Sequence, residues 1–274
     1  MDRERLKALA QETLEISRAG RYTLGDRVIP LDAARPTELW TAPDLDRLVR
    51  ETARPAEGPS AAIEVRGEGT VDAIFRLSGG ARLCPKMGVL DFASAKNPGG
   101  GFLNGSVAQE ECLAFCSDLY HTQTTGQGPR YYAINRASRD PVYTDTMLIG
   151  DVTFFRTSGF ALSPSPVTCP VITAPAVNMG IVLRNGDSVE RAKEVMQGRM
   201  RKILALFARW GCTDLILGAY GCGVFRNDPE DVARFWQELL IDEGWGRLFE
   251  RVAFSILERP SRDGNTAPFR RRFG

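Results

Sequence analysis

The chain has 274 residues, of which 43% are hydrophobic and 25% charged, and its formal net charge is +1. These proportions are typical of a globular protein that is large enough for a substantial α/β core. A near-neutral chain lacks the basic surface of a protein that follows duplex nucleic acid through its phosphates, and no apolar run approaches transmembrane length. We therefore expect no direct binding of duplex nucleic acid and no association with a membrane.

The first sixty residues are expected to form an accessory segment. Apolar residues at helical spacing predict a helix over about residues 3–19, and RYTLGDRVIPL predicts two short strands around Gly25 and Asp26. Pro43 is expected to open a second helix that runs to about Ala53. Because ARPAEGPS then interrupts the pattern, we divide the chain into an N-terminal accessory segment, residues 1–60, packed on a larger domain, residues 61–274.

Strands and helices alternate after residue 60. Strands are predicted at AIEVR, MGVLDFAS, MLIGDVTFF, VITAPAV, DLILGAY and VAFSIL. Helices are predicted at TVDAIFRL, at SVAQEECLAFCSDLY, from Ser188 to Gly211, and from Asp228 onwards. This alternation predicts a largely parallel sheet with helices on both faces. In the second of these helices, we expect Ser106 to be the cap and Gln109 to occupy the third helical position.

Two glycine-rich loops follow predicted strands. The first, in NPGGGFLNGSVAQEE, has three consecutive glycines, seven intervening residues and then Gln109, Glu110 and Glu111; the second is GAYGCGVFRN. Consecutive glycines can direct amide groups into one concavity that binds phosphate, although they also occur in ordinary tight turns. Because ligands of such sheets bind beyond the carboxyl ends of the strands, the two loops together predict a diphosphate site.

The two adjacent glutamates indicate catalysis. On a helix they point about 100° apart, so each can meet a different part of one ligand. Acids in the first turn of a helix usually complement its dipole. Beside a phosphate site, however, acids repel the ligand unless they act on it, which predicts an enzyme for a phosphorylated sugar. In the second loop, Phe225 either lies beside the cleft or packs in the core, and Arg226 either neutralises phosphate or is solvated.

Other catalytic chemistries fit the sequence less well. Gly99, Gly101 and Gly105 do not have the G-x-G-x-x-G spacing of a dinucleotide site, and no Gly-Lys-Ser/Thr of a P-loop occurs, which argues against a nucleotide-dependent oxidoreductase. His121 is the only histidine, so a multi-histidine metal site is excluded, and we expect it to cap a helix or lie on the surface. We expect no metal and no cofactor.

The cysteines are expected to be reduced thiols. There are six of them but no C-x-x-C pair, and the N-terminus lacks the apolar core of a signal peptide, so we expect a cytoplasmic protein. Cys112 and Cys116 lie one helical turn apart, and we interpret them as packed residues of a helix face rather than as nucleophiles.

At the two loops the chain resembles the macrodomain superfamily, whose members bind ADP-ribose. The spacing from the triple glycine to Gln109-Glu110-Glu111 is similar to the signature of poly(ADP-ribose) glycohydrolases, particularly the bacterial type. The resemblance is supported by GAYGCGVF and by the order of elements over about residues 60–260, and the first sixty residues resemble the helical N-terminal segment of bacterial members. It implies a three-layer α/β/α macrodomain-like sandwich with a mixed, largely parallel central sheet and an N-terminal helical extension.

The resemblance also implies the roles of individual residues. Glu111 would be the general acid/base that cleaves the ribose–ribose bond of poly(ADP-ribose) through an oxocarbenium-like state, and Glu110 would hold ribose hydroxyls. Gln109 would support the loop, and Asn97 would contact the distal ribose. The expected substrate-binding backbone comprises Gly99, Gly100, Gly101, Gly218, Ala219, Tyr220, Gly221, Cys222, Gly223, Val224 and Phe225. The ring of Phe225 would shape the terminal ribose pocket.

The expected partners are poly(ADP-ribose) or ADP-ribosylated proteins, with ADP-ribose as the product. The alternatives are a module that binds ADP-ribose without hydrolysing it and a hydrolase of mono-ADP-ribosylated proteins. The polar, basic tail DGNTAPFRRRFG is expected to fold over the adenosine end of the cleft, so that ADP-ribose is released mainly from chain ends. We do not expect attack on the unit that is linked to protein, because its leaving group differs.

Overall fold

The computed structural model describes residues 2–32, 35–258 and 263–274. The helices are α1 (Arg3–Ala19), α2 (Ala42–Glu51), α3 (Thr70–Ser78), α4 (Gln109–Cys116), α5 (Leu119–Thr124), α6 (Gly128–Ala137), α7 (Met179–Asn185), α8 (Val189–Trp210), α9 (Pro229–Gln237) and α10 (Ala267–Phe273). The strands are β1 (Arg21–Leu24), β2 (Arg27–Pro30), β3 (Glu38–Trp40), β4 (Ala62–Arg66), β5 (Met87–Phe92), β6 (Met147–Arg156), β7 (Leu162–Ala174), β8 (Asp214–Leu217) and β9 (Arg251–Ser255).

Seven strands form one mixed sheet in the order β3-β6-β7-β5-β8-β9-β4. The pairs β3–β6 and β6–β7 are antiparallel, and the other four pairs are parallel. The strands β5 and β8 are direct neighbours, with Met87 opposite Asp214 and Val89 opposite Ile216. The largely parallel sheet predicted from the sequence is therefore confirmed.

Helices cover both faces of this sheet. Side chains alternate along a strand, so Leu90 of β5 packs in one core with α2, α8, α9 and α10, whereas Val89 packs in the other with α1, α3 and α4. On the first face α8 lies close to β5, because a Cβ on Gly88 would fall 2.5 Å from the Phe207 ring. The arrangement is the expected three-layer α/β/α sandwich.

The N-terminal residues contribute to both the periphery and the sheet. Helix α1 and the β1–β2 hairpin form as predicted, and the hairpin register pairs Leu24 with Arg27. Strand β3, which was not predicted, adds to the sheet edge by pairing Leu39 with Leu148. The division of the chain at residue 60 stays a prediction.

The predicted helix SVAQEECLAFCSDLY is wrong at both ends. The helix begins at Gln109 with Ala108 as its N-cap, so Ser106 is not the cap and Gln109 is the first helical residue rather than the third. Glu111 accepts a hydrogen bond from the Ala108 amide, which satisfies that end of the helix without Ser106. The helix stops after Cys116, where the Ser117 hydroxyl donates to Leu113 O and Ser117 forms a bridge with Phe154. A separate helix, α5, follows.

The other predicted helix starts are observed. Ser188 and Asp228 cap α8 and α9 by accepting hydrogen bonds from backbone amides, and Gly211 ends α8 in a left-handed conformation. Residues 259–262, which come between the predicted strand VAFSIL and the predicted tail, lie outside the described residues. Along the described ranges, none of the helices has the length and apolar character needed to cross a lipid bilayer.

Candidate active site

The two glycine-rich loops leave the sheet side by side. Because β5 and β8 are parallel neighbours, the segment after Phe92 and the segment after Leu217 begin at the same edge. Their sequence-predicted placement at the carboxyl ends of adjacent strands is thereby confirmed.

Glu111 is enclosed by the first loop. Its Oε1 accepts a hydrogen bond from the Gly101 amide at 2.8 Å, and its Oε2 accepts from the Ala108 amide at 3.0 Å. Gly100 has a positive φ of 57°, and a Cβ there would lie 2.6 Å from Glu111 Oε1 and 3.0 Å from Glu110 Oε2. A glycine is therefore required at this position both for the turn and for the close approach of two carboxylates.

Glu110 lies deeper, with 4% of its surface exposed. Its Oε2 accepts a hydrogen bond from the Ser94 amide at 2.7 Å, and its Oε1 accepts one from Gln123 Nε2 at 3.2 Å. Burial raises the pKa of Glu110 well above its usual range, and the nearby Asp91 adds to the shift, while the hydrogen bond from Ser94 opposes it.

Gln123 and Asp91 were not predicted from the sequence. Both are buried, and Gln123 Nε2 lies 3.0 Å from Asp91 Oδ2 while its Oε1 accepts a hydrogen bond from the Gly99 amide at 2.6 Å. Gln123 thus joins the glycine loop, Glu110 and Asp91. Burial raises the pKa of Asp91 to about 8, and the charge of Glu111 contributes to the shift. The pKa values of Asp91 and Glu110 are both raised, which favours a proton on this buried pair at neutral pH and lowers the repulsion among the three carboxyl groups.

The glycine loop does not present its amides to a phosphate, which corrects that expectation. The Gly99 and Gly101 amides donate to Gln123 and Glu111, and the Gly100 amide donates to Asn97 O at 3.0 Å. The loop instead forms a cover over the glutamates. Contact of Gly99, Gly100 and Gly101 with substrate stays a prediction.

Gln109 holds the start of α4 to the end of β5. Its side-chain oxygen accepts a hydrogen bond from the Phe92 amide at 2.9 Å, and its Nε2 donates to Leu90 O at 2.9 Å. At the end of β5, the side chain thereby makes the two backbone hydrogen bonds that an adjacent strand would otherwise make. It fixes the helix that carries both glutamates relative to the sheet.

The second loop is held by a tight turn. Gly221 has a φ of 75°, and a Cβ there would lie 2.5 Å from Ala176 Cβ and from Asn227 Nδ2. Asn227 Nδ2 donates to Val177 O and to Gly221 O, which fastens the loop to the end of β7. Tyr220 is fully buried, and its hydroxyl donates to Ala174 O, so this ring supports the loop from behind.

Three successive amides of the second loop remain available to a ligand. Within the described part of the chain, the amides of Gly223, Val224 and Phe225 donate to no protein acceptor, although Gly223 O accepts a hydrogen bond from Arg226. Successive free amides form a concavity that suits phosphate oxygens. The amides of the first loop therefore donate hydrogen bonds to Gln123 and Glu111, whereas those of residues 223–225 in the second loop can donate to a ligand.

A cavity of about 540 Å³ runs along this edge from the start of α3 to Phe225. Of the predicted site residues, it is lined by Gln109, Ala219, Gly221, Gly223, Val224 and Phe225. It also contacts Phe92, Ile256, Leu257 and Asn265, which the sequence did not single out. The other predicted site residues do not line this cavity: Asn97, Gly99, Gly100, Gly101, Glu110, Glu111, Gly218, Tyr220 and Cys222.

Two of the six cysteines, Cys112 and Cys116, line the cavity, whereas the single histidine does not. His121 is exposed on α5, as expected. Burial raises the pKa of the Cys116 and Cys222 thiols, which disfavours their thiolate forms. None of the six cysteines forms a disulfide bond. Among the residues whose positions are described, no group of three or more His, Cys, Asp or Glu side chains is arranged to hold a metal ion.

These features define a class of protein. The chain forms a three-layer α/β/α sandwich, and the ends of β5 and β8 carry a clamped glutamate pair and a loop with free amides at one edge of the sheet. This is a macrodomain-like fold with two buried glutamates at that edge.

Comparison with known proteins identifies the family. The model of the family "Microbial-type PARG, catalytic domain" matches residues 10–157, and the chain belongs to this family of poly(ADP-ribose) glycohydrolase enzymes. The match covers the first glycine-rich loop and both glutamates. A search among curated proteins gave no match.

Solved structures support this membership over nearly the whole chain. The poly(ADP-ribose) glycohydrolase from Thermomonospora curvata is 38% identical with a TM-score of 0.91, and the alignment covers 99% of this chain and 100% of that one. Its complex with the inhibitor ADP-HPD is 38% identical with a TM-score of 0.89 and the same coverage. The enzyme from Deinococcus radiodurans in complex with ADP-ribose is 39% identical with a TM-score of 0.79, over 86% of this chain and 93% of that one.

Proposed function

We propose that this enzyme hydrolyses the ribose–ribose O-glycosidic bonds of poly(ADP-ribose) and releases ADP-ribose mainly from chain ends. The observation that carries the proposal is the pair Glu110 and Glu111, clamped under the glycine loop at the same edge of the sheet as the free amides of the second loop. The substrate of the similar Thermomonospora curvata enzyme and the ADP-ribose bound by the Deinococcus radiodurans enzyme support this choice of substrate.

The terminal unit would lie along the edge of the sheet. Its adenosine would occupy the 540 Å³ cavity, where Phe92, Ile256 and Leu257 provide an apolar and aromatic lining. Its diphosphate would accept hydrogen bonds from the amides of residues 223–225. Its distal ribose would then lie between the two loops, next to the glutamates, with Phe225 shaping that end.

Glu111 would act as acid and then as base. In the first step, its carboxyl proton passes to the 2′-oxygen of the preceding unit while the bond from that oxygen to C1″ breaks, leaving an oxocarbenium-like ribose. In the second step, water attacks C1″ and gives its proton to Glu111, which restores the acid. Glu110, whose carboxylate is fixed by Ser94 and Gln123, would accept hydrogen bonds from ribose hydroxyls. No metal or cofactor takes part in this proposal.

The C-terminal residues support release from chain ends. Asn265 lines the cavity, and α10 is held against the sheet by Phe269, whose ring centroid lies 5.1 Å from that of Phe254. We infer that these residues close the adenosine end, so that a unit bonded at its own 2′-oxygen is excluded. A time course that shows ADP-ribose from the start and no free oligomers would agree with this, whereas early release of oligomers would contradict it.

We further propose that residues 1–60 support the catalytic loop from behind. Arg3 Nε donates to Asn104 O at 2.7 Å, and a Cβ on Gly105 would lie 2.9 Å from Arg3 O. The hydroxyl of Thr13 donates to Phe115 O on α4. Helix α1 therefore packs directly against both ends of the segment that carries the glutamates.

The proposal is tested by digesting automodified protein and poly(ADP-ribose) with the purified enzyme and separating the products by chromatography. We expect free ADP-ribose from the polymer, while one ADP-ribose unit stays on the acceptor protein. Tight binding of ADP-ribose without any release would identify a binding module. Unmodified acceptor after exhaustive digestion would instead identify a hydrolase of the protein-linked unit.

A further inference from the structure

A second cavity, of about 580 Å³, lies on the other side of the second loop. It is lined by α7, from Gly180 to Arg184, and by Val224, which also lines the first cavity. Its charged side chains are Arg184 and Arg226, both exposed. Neither arginine forms an ion pair within the described ranges, so this cavity offers two cationic groups for an anion.

The backbone of Arg226 is in a strained conformation that nearby hydrogen bonds stabilise. Arg226 has a φ of 59°, a conformation that residues with a Cβ adopt rarely. The Gly180 amide donates to Phe225 O at 3.0 Å, and Arg226 N donates to Gly223 O at 3.2 Å, which fixes this turn against α7. A Cβ on Gly180 would lie 3.1 Å from Arg226 Cδ, so the arginine passes over a glycine as it enters the cavity.

Different elements of the sheet edge line the two cavities. The first cavity extends from the second loop towards the end of β9 and the start of α3, which follows β4. The second cavity is lined by α7, which follows β7, and β7 pairs with β5 on the side away from β8. With the adenosine of the terminal unit in the first cavity, the second cavity remains for the unit on the other side of the glycosidic bond.

We propose that Arg184 and Arg226 form a subsite for the diphosphate of the leaving unit, the ADP-ribose unit whose 2′-oxygen is released when the glycosidic bond breaks. This inference rests on the proposed function. Guanidinium groups suit phosphate because their donors form charge-assisted, paired hydrogen bonds. The subsite increases the affinity for the polymer without contacting the terminal unit that remains bound.

The test compares substrates with and without phosphates in the leaving group. The double variant Arg184→Gln/Arg226→Gln is assayed on poly(ADP-ribose) and on an ADP-ribose that carries an umbelliferyl group at C1″, and its affinity for free ADP-ribose is measured by calorimetry. We expect KM for the polymer to rise about tenfold, in line with the loss of hydrogen bonds between charged groups. Cleavage of the umbelliferyl compound and binding of ADP-ribose should change less than about twofold.

The matched control is Arg18→Gln, because Arg18 is an exposed arginine at the end of α1, away from both cavities. The control should leave all three measurements unchanged. An equal loss on both substrates, or a loss of ADP-ribose affinity, would overturn the proposal, since the arginines would then serve the terminal unit. An unchanged KM for the polymer would overturn it as well. If the unmodified enzyme cleaves the umbelliferyl compound but not the polymer, the proposed function itself fails.

Discussion

Replacing Gly100 by alanine should disable the enzyme while leaving it folded. Gly100 has a φ of 57°, and its added Cβ would lie 2.6 Å from Glu111 Oε1. Ordinary contacts begin at 3.4 Å, so the carboxylate would have to retreat by about 0.8 Å, the difference between these two distances. A displacement of about 1 Å in a catalytic group can lower the rate by roughly 10²-fold. We therefore expect kcat to fall about 100-fold.

The effect on stability should be much smaller than the effect on activity. Placing a Cβ on a left-handed residue costs about 1–2 kcal/mol, and the same cost applies at any such glycine. Gly20, at the end of α1, has a φ of 62° and no neighbouring atom within 4 Å of the position that a Cβ would take, so Gly20→Ala is the matched control. Both variants should lose this free energy of unfolding in a denaturant titration, and Gly100→Ala should lose about 1 kcal/mol more because the displaced Glu111 weakens its hydrogen bonds with the Gly101 and Ala108 amides.

The assay is release of the umbelliferyl group from ADP-ribose substituted at C1″, followed by fluorescence at saturating substrate. Gly20→Ala should retain nearly full kcat, whereas Gly100→Ala should lose about two orders of magnitude. If the two variants are equally active, the close contact between the glycine loop and Glu111 has no catalytic importance and the reasoning is refuted.

Two further predictions concern the buried groups beneath the glutamates. Gln123→Leu removes the hydrogen-bond donor to Glu110 and the acceptor for the Gly99 amide. We expect kcat to fall at least about tenfold with a smaller change in KM, and the free energy of unfolding to fall by about 2–3 kcal/mol. An unaltered kcat would contradict this role. The pKa of Asp91 is about 8 in the folded chain and about 4 in the unfolded chain, so the folded chain binds this proton more tightly. The contribution of this proton to stability is therefore complete below pH 4 and is lost as the pH rises to about 8. Asp91→Asn should therefore reduce the loss of unfolding free energy between pH 5 and 8, as measured by urea titration, and an unchanged pH dependence would contradict the assigned protonation.

The position of the site follows from patterns that are local in sequence. The apolar runs MGVLDFAS and DLILGAY predict buried strands, and parallel strands bring the loops that follow them to one edge. The glycine spacing identifies the segment that carries Glu110 and Glu111. Caps such as Ser188 and Asp228 also depend only on neighbouring residues, so these starts of helices were predicted correctly.

The details that the sequence did not reveal depend on contacts between distant residues. Gln123 lies on a short helix and meets Asp91 of β5 only in the folded chain, and nothing near Gln123 in the sequence indicates that contact. Asp91 could have been singled out as a residue with buried partners, because an acid within an otherwise apolar strand requires hydrogen-bond partners when it is buried. Strand β3 has only three residues, too few for a periodic pattern. The Ser106 cap was wrong because Glu111, three residues from Ala108, satisfies the helix start instead.

The central claim is that Glu111 transfers the protons in cleavage of the ribose–ribose bond. It is tested most directly by measuring ADP-ribose release from poly(ADP-ribose) by the unmodified enzyme and by Glu111→Gln, together with the affinity of each for ADP-ribose. The glutamine retains an oxygen for one of the backbone hydrogen bonds but has no carboxyl proton to transfer. We predict that release falls at least about 10²-fold while ADP-ribose is still bound with similar affinity. Release at an unchanged rate by Glu111→Gln would contradict the account.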